Sequence, residues 1–379
     1  MRFLDNCILF LLYPASSFCH GWTAEWVQLK PKQNVQPARS GHVAFQFTKD
    51  GVYVFGGYAE VVSKDGEVER YPTNDLWKFD PAESTWKLVK AAELYVDDCE
   101  ECNESNKTPQ QRLAASASTL DDSAFIFGGW DPQTPGTGGV ILDSVSEYSA
   151  SKGGWMGPTL ASTALEETTS RHVTVSISDD AILLHNHRCS DHVLLFQKDS
   201  VESDYSLHRQ PTKGTGPSPR GLHAACKLGD NHIVIFGGAA QDQSMSNEVF
   251  VLNLSTWTWK KLDSATSCTP VPRASPCLCA LDDTTCILFG GATPSATMGL
   301  EGLNDLWLMK TDTKEGSVSW KKLGVAESAT IPPGRNAATL MPVDLPNVDN
   351  CQCFLLSGGW APFVKTHNDS FVLKVSSEK

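Results

Sequence analysis

No stretch of this sequence approaches the ~20 consecutive apolar residues that a membrane-crossing helix requires, so an integral membrane protein is not expected. Basic residues are scarce: 31 Lys and Arg stand against 44 Asp and Glu, a net charge of −13. Gripping a phosphate backbone needs clustered Lys and Arg, so nucleic acid is not expected as a partner. The sequence also lacks a G-x-S-x-G nucleophile elbow and a phosphate-cradling glycine loop, which removes two common routes to catalysis.

What is present is a chain with 29 Gly, 21 Pro and 11 Trp, 41% of it hydrophobic, enough to bury a large core. Apolar runs ending in a glycine pair recur at Val54–Gly57, Ile126–Gly129, Ile235–Gly238, Leu288–Gly291 and Leu356–Gly359. A sixth unit fits between the second and third, where Ile182-Leu183-Leu184 meets His185-Asn186-His187 instead of glycines. The base period is near ~50 residues, lengthened by inserts.

Other residues keep the same phase. An arginine precedes each first strand (Arg39, Arg112, Arg171, Arg220, Arg273, Arg335), and an acid opens each third strand (Asp75, Asp143, Asp191, Glu248, Asp305, Asp369). Most units close with a tryptophan: Trp86, Trp155, Trp257 with Trp259, and Trp320. Runs rich in Val, Ile, Phe and Trp, broken by Gly, Asp-Asp and Pro-rich turns, give four short strands per unit. In the fourth unit these are expected at about His223–Lys227, His232–Phe236, Val249–Asn253 and Trp257–Leu262. No unit can bury both its faces alone, so the fold class is all-β, a six-bladed β-propeller closed into a circle that protects its strand edges. The sixth unit is one strand short. Trp26-Val27-Gln28-Leu29-Lys30 matches the closing strands elsewhere, so the N-terminal strand is expected to complete the last blade.

This places the propeller over residues 22–379 and leaves 1–21 as a possible signal peptide or leader. The apolar run Cys7–Tyr13 is followed by Ala15, Ser16 and Ser17, which resembles a short secretory signal; Asp5 and Pro14 speak against it. A secretory or extracellular location is slightly favoured, with the cytoplasm as the alternative. Twelve Cys do not settle the compartment: disulfides are compatible, but Cys226, Cys277, Cys279 and Cys286 lie in apolar strand stretches, where a free thiol serving as a small core residue is the commoner reading. Asn103, Asn106, Asn253 and Asn368 sit in glycosylation sequons.

The combination of Arg, hydrophobic strand, Gly-Gly, Asn-Asp-Leu-Trp and closing Trp resembles the kelch-repeat family. The best units are Asn74-Asp75-Leu76-Trp77, Asn304-Asp305-Leu306-Trp307 and Pro219–Gly238. They look like the kelch modules of Rab-effector and host-cell-factor-like proteins. The resemblance implies a propeller used mainly to bind another protein, as a monomer, without catalytic residues and without a cofactor. The alternatives are a metal-dependent or sugar-acting kelch-propeller enzyme and a secreted glycan-recognition protein. The iron motif of some plant kelch enzymes, E-x-x-x-D-x-x-x-H, is broken here: Glu301 and Asp305 keep the spacing, but Met309 stands where His should be.

Candidate partner-binding residues follow from the loops. The long inserts Tyr58–Thr73, Ala91–Pro109 and Trp130–Leu142 fall on blades one and two, beside blade six, and share one face. Tyr58, Trp130 and Trp360 come directly after Gly-Gly and can anchor a partner there. The repeat arginines, with Arg39, Arg112 and Arg335 nearest these inserts, either grip an acidic peptide or pair with the repeat acids. For metal, His185, His187, Cys189 and His192 form the densest cluster; if the segment is extended, the first three share a face. The competing reading is a degenerate blade in which His replaces glycine. Cys99 and Cys102 have CxxC spacing in an acidic loop without a second ligand pair.

Overall fold

A computed structural model describes residues 21–30, 35–47, 51–92, 108–133, 138–156, 165, 167–198, 204–297, 299–324, 330–346, 348 and 350–377. Residues 1–20 of the possible leader, Cys99, Cys102, Asn103, Asn106 and most of the Ala91–Pro109 insert lie outside the described residues. Among the described residues there is no helix, and hence none long and apolar enough to cross a membrane. They form six antiparallel units of four strands. Blade one comprises Val43–Phe47, Gly51–Phe55, Leu76–Asp80 and Thr85–Lys90. Blade two comprises Ser116–Leu120, Ser123–Phe127, Val145–Ser149 and Gly154–Trp155. Blade three comprises Val173–Ser176, Ala181–His185, His192–Lys198 and Tyr205–Pro211. Blade four runs Ala224–Leu228, His232–Phe236, Val249–Asn253 and Thr258–Ser264, within two residues of the expected bounds. Blade five comprises Cys277–Ala280, Thr285–Phe289, Leu306–Asp312 and Ser317–Lys322. Blade six takes Thr339–Pro342, Gln352–Ser357 and Ser370–Ser377 from one end of the chain and Trp22–Gln28 from the other.

The ring closes in two independent ways. Each first strand touches the first strands of both neighbours, and the last of these contacts joins blade six to blade one. Just before those strands, six residues with positive φ form a circle of backbone hydrogen bonds. Gly41 donates to Ala337 (2.9 Å), Ala114 to Gly41 (2.9 Å), Arg171 to Ala114 (2.8 Å), Leu222 to Arg171 (2.8 Å), Ser275 to Leu222 (2.7 Å) and Ala337 to Ser275 (3.3 Å). Five of the six are not glycine, so the left-handed conformation at each carries some strain that the completed circle offsets.

The outer closure matches the expectation. Trp22–Gln28 runs antiparallel to Ser370–Ser377, from Trp22 opposite Ser377 to Gln28 opposite Phe371. Trp26 is buried and its ring meets Phe289 of blade five at 4.9 Å. The same contact recurs around the molecule: Trp155 of blade two packs on Phe55 (4.9 Å), and Trp320 of blade five on Phe236 (5.2 Å). The second strands show why. Sandwiched between the blades on either side, Gly51–Phe55, Ser123–Phe127, Ala181–His185 and Thr285–Phe289 are buried at every residue and so read as continuous apolar runs. Each large apolar side chain placed there contributes about 1.5–3 kcal/mol.

Candidate functional site

The turn from second to third strand is shaped by a buried clamp. Arg39 donates Nη1 to the carbonyl of Gly56 (2.9 Å) and both terminal nitrogens to the Asp75 carboxylate (2.8 Å each). The pattern repeats as Arg220 with Glu248 (2.7 Å), Arg273 with Asp305 (2.6 Å) and Arg335 with Asp369 (2.5 Å). Burial alone would raise the Asp75 carboxyl, but the Arg39 guanidinium and hydrogen bonds from Trp77 and Thr73 hold it below the usual range. The first glycine thus receives a guanidinium on its carbonyl, while the second allows close approach. A Cβ on Gly57 (φ +96°) would stand 2.8 Å from Cβ of His42 and 2.9 Å from the Ser40 carbonyl.

These contacts correct part of the sequence reading. Arg39, Arg112 and Arg335 are buried, so their guanidinium groups serve the fold and are not offered to a partner at the surface. Arg112 bonds Gly128 and the hydroxyl of Ser144, not Asp143. The Gly128 amide donates to the Ser144 carbonyl as that of Gly56 does to Asp75, which makes Ser144 the equivalent residue and leaves Asp143 exposed.

Blade three departs further. Gly129 donates to Thr169, where Gly57 donates to Arg112 and Gly238 to Arg273, so Thr169 holds the arginine position. Arg171 lies two residues further on, exposed, within the circle of positive-φ residues. With Val173 opposite His185 and Leu184 opposite Leu194, Asn186-His187 replaces Gly-Gly and His192 replaces the acid; Asp191 is one residue early. The metal cluster is not assembled. The strand stops at His185 and the chain turns, with the Cys189 amide donating to the Asn186 carbonyl (3.1 Å). His187 is exposed, while Cys189 is buried and its thiol pushed up to about 11 by burial. Among the described residues no group of three His, Cys, Asp or Glu is placed to hold a metal ion. His185 instead takes the place that Phe55 and Phe236 hold in their blades: Trp259 packs on it at 5.7 Å, and its Nδ1 meets Nε2 of His223 at 3.1 Å. His42, His172 and His223, each just before a first strand, are pushed down to about 3, chiefly by burial.

The exposed chemistry lies on the hairpins beyond Gly-Gly. Tyr58, Trp130 and Trp360 occupy one register position, each paired back to the residue after the repeat arginine: Ser40, Leu113 and Asn336. The same position in blades four and five holds Ala239 and Ala292. Blades six, one and two are therefore aromatic where blades four and five are bare. All three aromatics are half-buried, and Trp360 meets Phe363 at 5.5 Å.

Around them stand apolar side chains that the sequence reading did not single out. Val62 is 62% exposed, Phe363 65% and Val364 67%, joined by Val61, Val68 and Ile141. Val35, Val271 and Ile331, on the connectors between blades, are exposed at the same end of the sheets, because strand-four-to-one connectors emerge beside strand-two-to-three hairpins. Among the described residues, Leu88 is the exception. The signal was legible in outline: apolar pairs such as Val61-Val62 and Phe363-Val364 fall between a Gly-Gly and its acid, where a hairpin tip is expected. Thr366 of blade six donates to Glu60 of blade one (3.0 Å), and Arg70 pairs with the same carboxylate (2.9 Å), tying the two hairpins together.

Comparison with known proteins agrees with this architecture. A family model described as the KLHDC2/KLHL20/DRC7 Kelch-repeats domain matches residues 17–194 and again 182–379. Kelch domain-containing protein 2 of Bos taurus is 26% identical over 306 residues, covering 71% of this chain and 66% of that protein. Dynein regulatory complex subunit 7 of Chlamydomonas reinhardtii is 42% identical over 67 residues, 17% of this chain and 6% of that protein. The chain thus spans just under two thirds of the first of these relatives and a small part of the second. Among solved structures, that of YjhT superposes with a TM-score of 0.57 at 16% identity, covering 93% of this chain and 99% of YjhT, a likeness of fold.

Proposed function

Since the chain belongs to the kelch-repeat family, we propose that it is a protein-binding module whose hairpin face, over blades six, one and two, receives a peptide or loop of another protein. The observation that carries this reading is the unequal decoration of one register position. Tyr58, Trp130 and Trp360 stand where blades four and five place alanine, amid the exposed Val62, Phe363 and Val364. Exposed apolar groups gathered at one end of a fold mark contact surfaces, and aromatic side chains anchor them most strongly. The surface reads as a binding rather than a catalytic one because its prominent groups are apolar. A partner with an apolar segment flanked by basic residues suits it best, given the chain's net charge of −13.

The test is affinity capture with mass spectrometry, comparing the full chain with Tyr58→Ala/Trp130→Ala/Trp360→Ala. Loss of the specifically captured partners, with an unchanged melting temperature, is the expected result. Retention of every partner by the folded triple variant overturns the placement.

A further inference from the structure

Cys277 and Cys279, on the first strand of blade five, turn toward blade six and donate Sγ to the carbonyls of Ala338 (3.4 Å) and Leu340 (3.1 Å). Cys286, the second residue of the next strand, turns the other way, into the apolar layer between blades four and five. There its Sγ stands 3.3 Å from Sγ of Cys226, on the first strand of blade four. The two sulfurs are in contact, closer than Cys351 and Cys353 at 3.8 Å.

Regular backbone pairing holds both in place. Cys226 lies opposite Val234, and Cys286 lies between Ala280 and Met309. Neither sits on a loop, so their approach is set by the packing of one blade on the next. The two thiols differ in access. Cys286 is fully buried, and burial pushes its pKa well above the ordinary thiol value. Cys226 is half-buried and keeps part of its surface open to solvent. A half-exposed thiol against a sheltered one suits an attacking and a resolving cysteine.

We propose that Cys226 and Cys286 form a reversible disulfide across the interface of blades four and five when the folded chain meets a peroxide. The Cys226 thiolate displaces hydroxide from hydrogen peroxide and becomes a sulfenic acid; its released proton turns the hydroxide into water. The Cys286 sulfur then attacks that sulfur, the S–O bond breaks, and a second water leaves with the Cys286 proton. The sulfurs lose two electrons and the peroxide gains them. A small thiol reductant reverses the step by exchange. Cys286 stands at the end of its strand away from Gly290-Gly291, so the pair is separate from the partner-binding hairpins.

The experiment treats the reduced, folded full chain with hydrogen peroxide, blocks remaining thiols with N-ethylmaleimide and maps the peptides by mass spectrometry. The expected product is a linked pair of peptides carrying Cys226 and Cys286, absent after dithiothreitol. Cys268, which is exposed, reports that the oxidant has acted. Cys286→Ala should leave Cys226 as a sulfenic acid that dimedone captures, while Cys226→Ser should leave Cys286 unoxidised. The proposal is overturned if Cys268 is oxidised while Cys226 and Cys286 are recovered as thiols, or if Cys226 links instead to Cys279. Should a variant fail to fold, the parent chain still decides. In urea, where proximity is lost and all twelve cysteines compete, the yield of the Cys226–Cys286 pair should fall roughly tenfold. An equal yield overturns the proposal.

Discussion

Blade one and blade three share a plan of four strands but differ in how the turn beyond the second strand is held. In blade one, Arg39, Gly56-Gly57 and Asp75 act as a unit: the guanidinium bonds both the glycine carbonyl and the carboxylate. In blade three all of these positions change together, to Thr169, Asn186-His187 and His192. The joint change has a physical reason. Without glycines the chain turns back at once through Asn186 and Cys189, and the long hairpin of the other blades does not form. An arginine left there would be a buried charge without its carboxylate. Blade two is an intermediate case, for Arg112 keeps Gly128 but faces the neutral Ser144. The clamp is therefore a cooperative device that serves hairpin-bearing blades, and the ring tolerates its loss because the neighbouring blades still cover the second strand.

The comparison breaks if removing a clamp costs no more than altering its substitute. Arg39→Ala leaves Asp75 buried and unpaired, and should lower stability by about 3–5 kcal/mol in urea unfolding, against roughly 1 kcal/mol or less for Thr169→Ala. Next in size is the glycine position. Gly57→Ala should cost about 2–3 kcal/mol because its Cβ would press on His42 and Ser40, whereas exposed His187→Ala should stay within about 0.5 kcal/mol. The smallest effect at neutral pH is expected at His172→Ala, since Ala115 and Ala338 hold that position in blades two and six. Acid should reveal it. The unfolded imidazole gains its proton near 6.5 and the folded one near 3, so between those values the unfolded state binds more protons and stability falls as pH falls. The clamp carboxylate Glu248 acts lower. Burial opposes its ionisation, but Lys261 and Arg220 hold it at about 2, so its contribution is full above about 4.5 and is lost as pH falls through 2. Stability measured against pH should therefore lose part of its slope between pH 6.5 and 4.5 in His172→Ala and keep its steep fall below 4.5. An unchanged slope in the upper range would show that His172 is not held neutral by burial.

The sequence exposed the ring because its signals are periodic: glycine pairs, arginines and tryptophans recur wherever the same contact recurs. It misled where the period slipped. Arg171 and Asp191 look like clamp residues, but the backbone places Thr169 and His192 there, and only strand register reveals offsets of one or two residues. The arginines were visible and their burial was not, because linear spacing does not say whether a cation reaches its carboxylate inside the fold or points outward. Tyr58, Trp130 and Trp360 could be read from their place after Gly-Gly. That they share one register position with Ala239 and Ala292 needed the bridges.

The pairing of Trp22–Gln28 with Ser370–Ser377 has a consequence for how this protein is made. Trp22–Gln28 leaves the ribosome before the other five blades and its partner Ser370–Ser377 after them, so during synthesis it must wait as an unmatched edge while those five blades gather. Until residues 370–377 emerge, Trp26 lacks Leu373, its partner across the strand pair. Completion is thus a single late event, in which the entropy of closing a very long loop is met all at once by seven residue pairs.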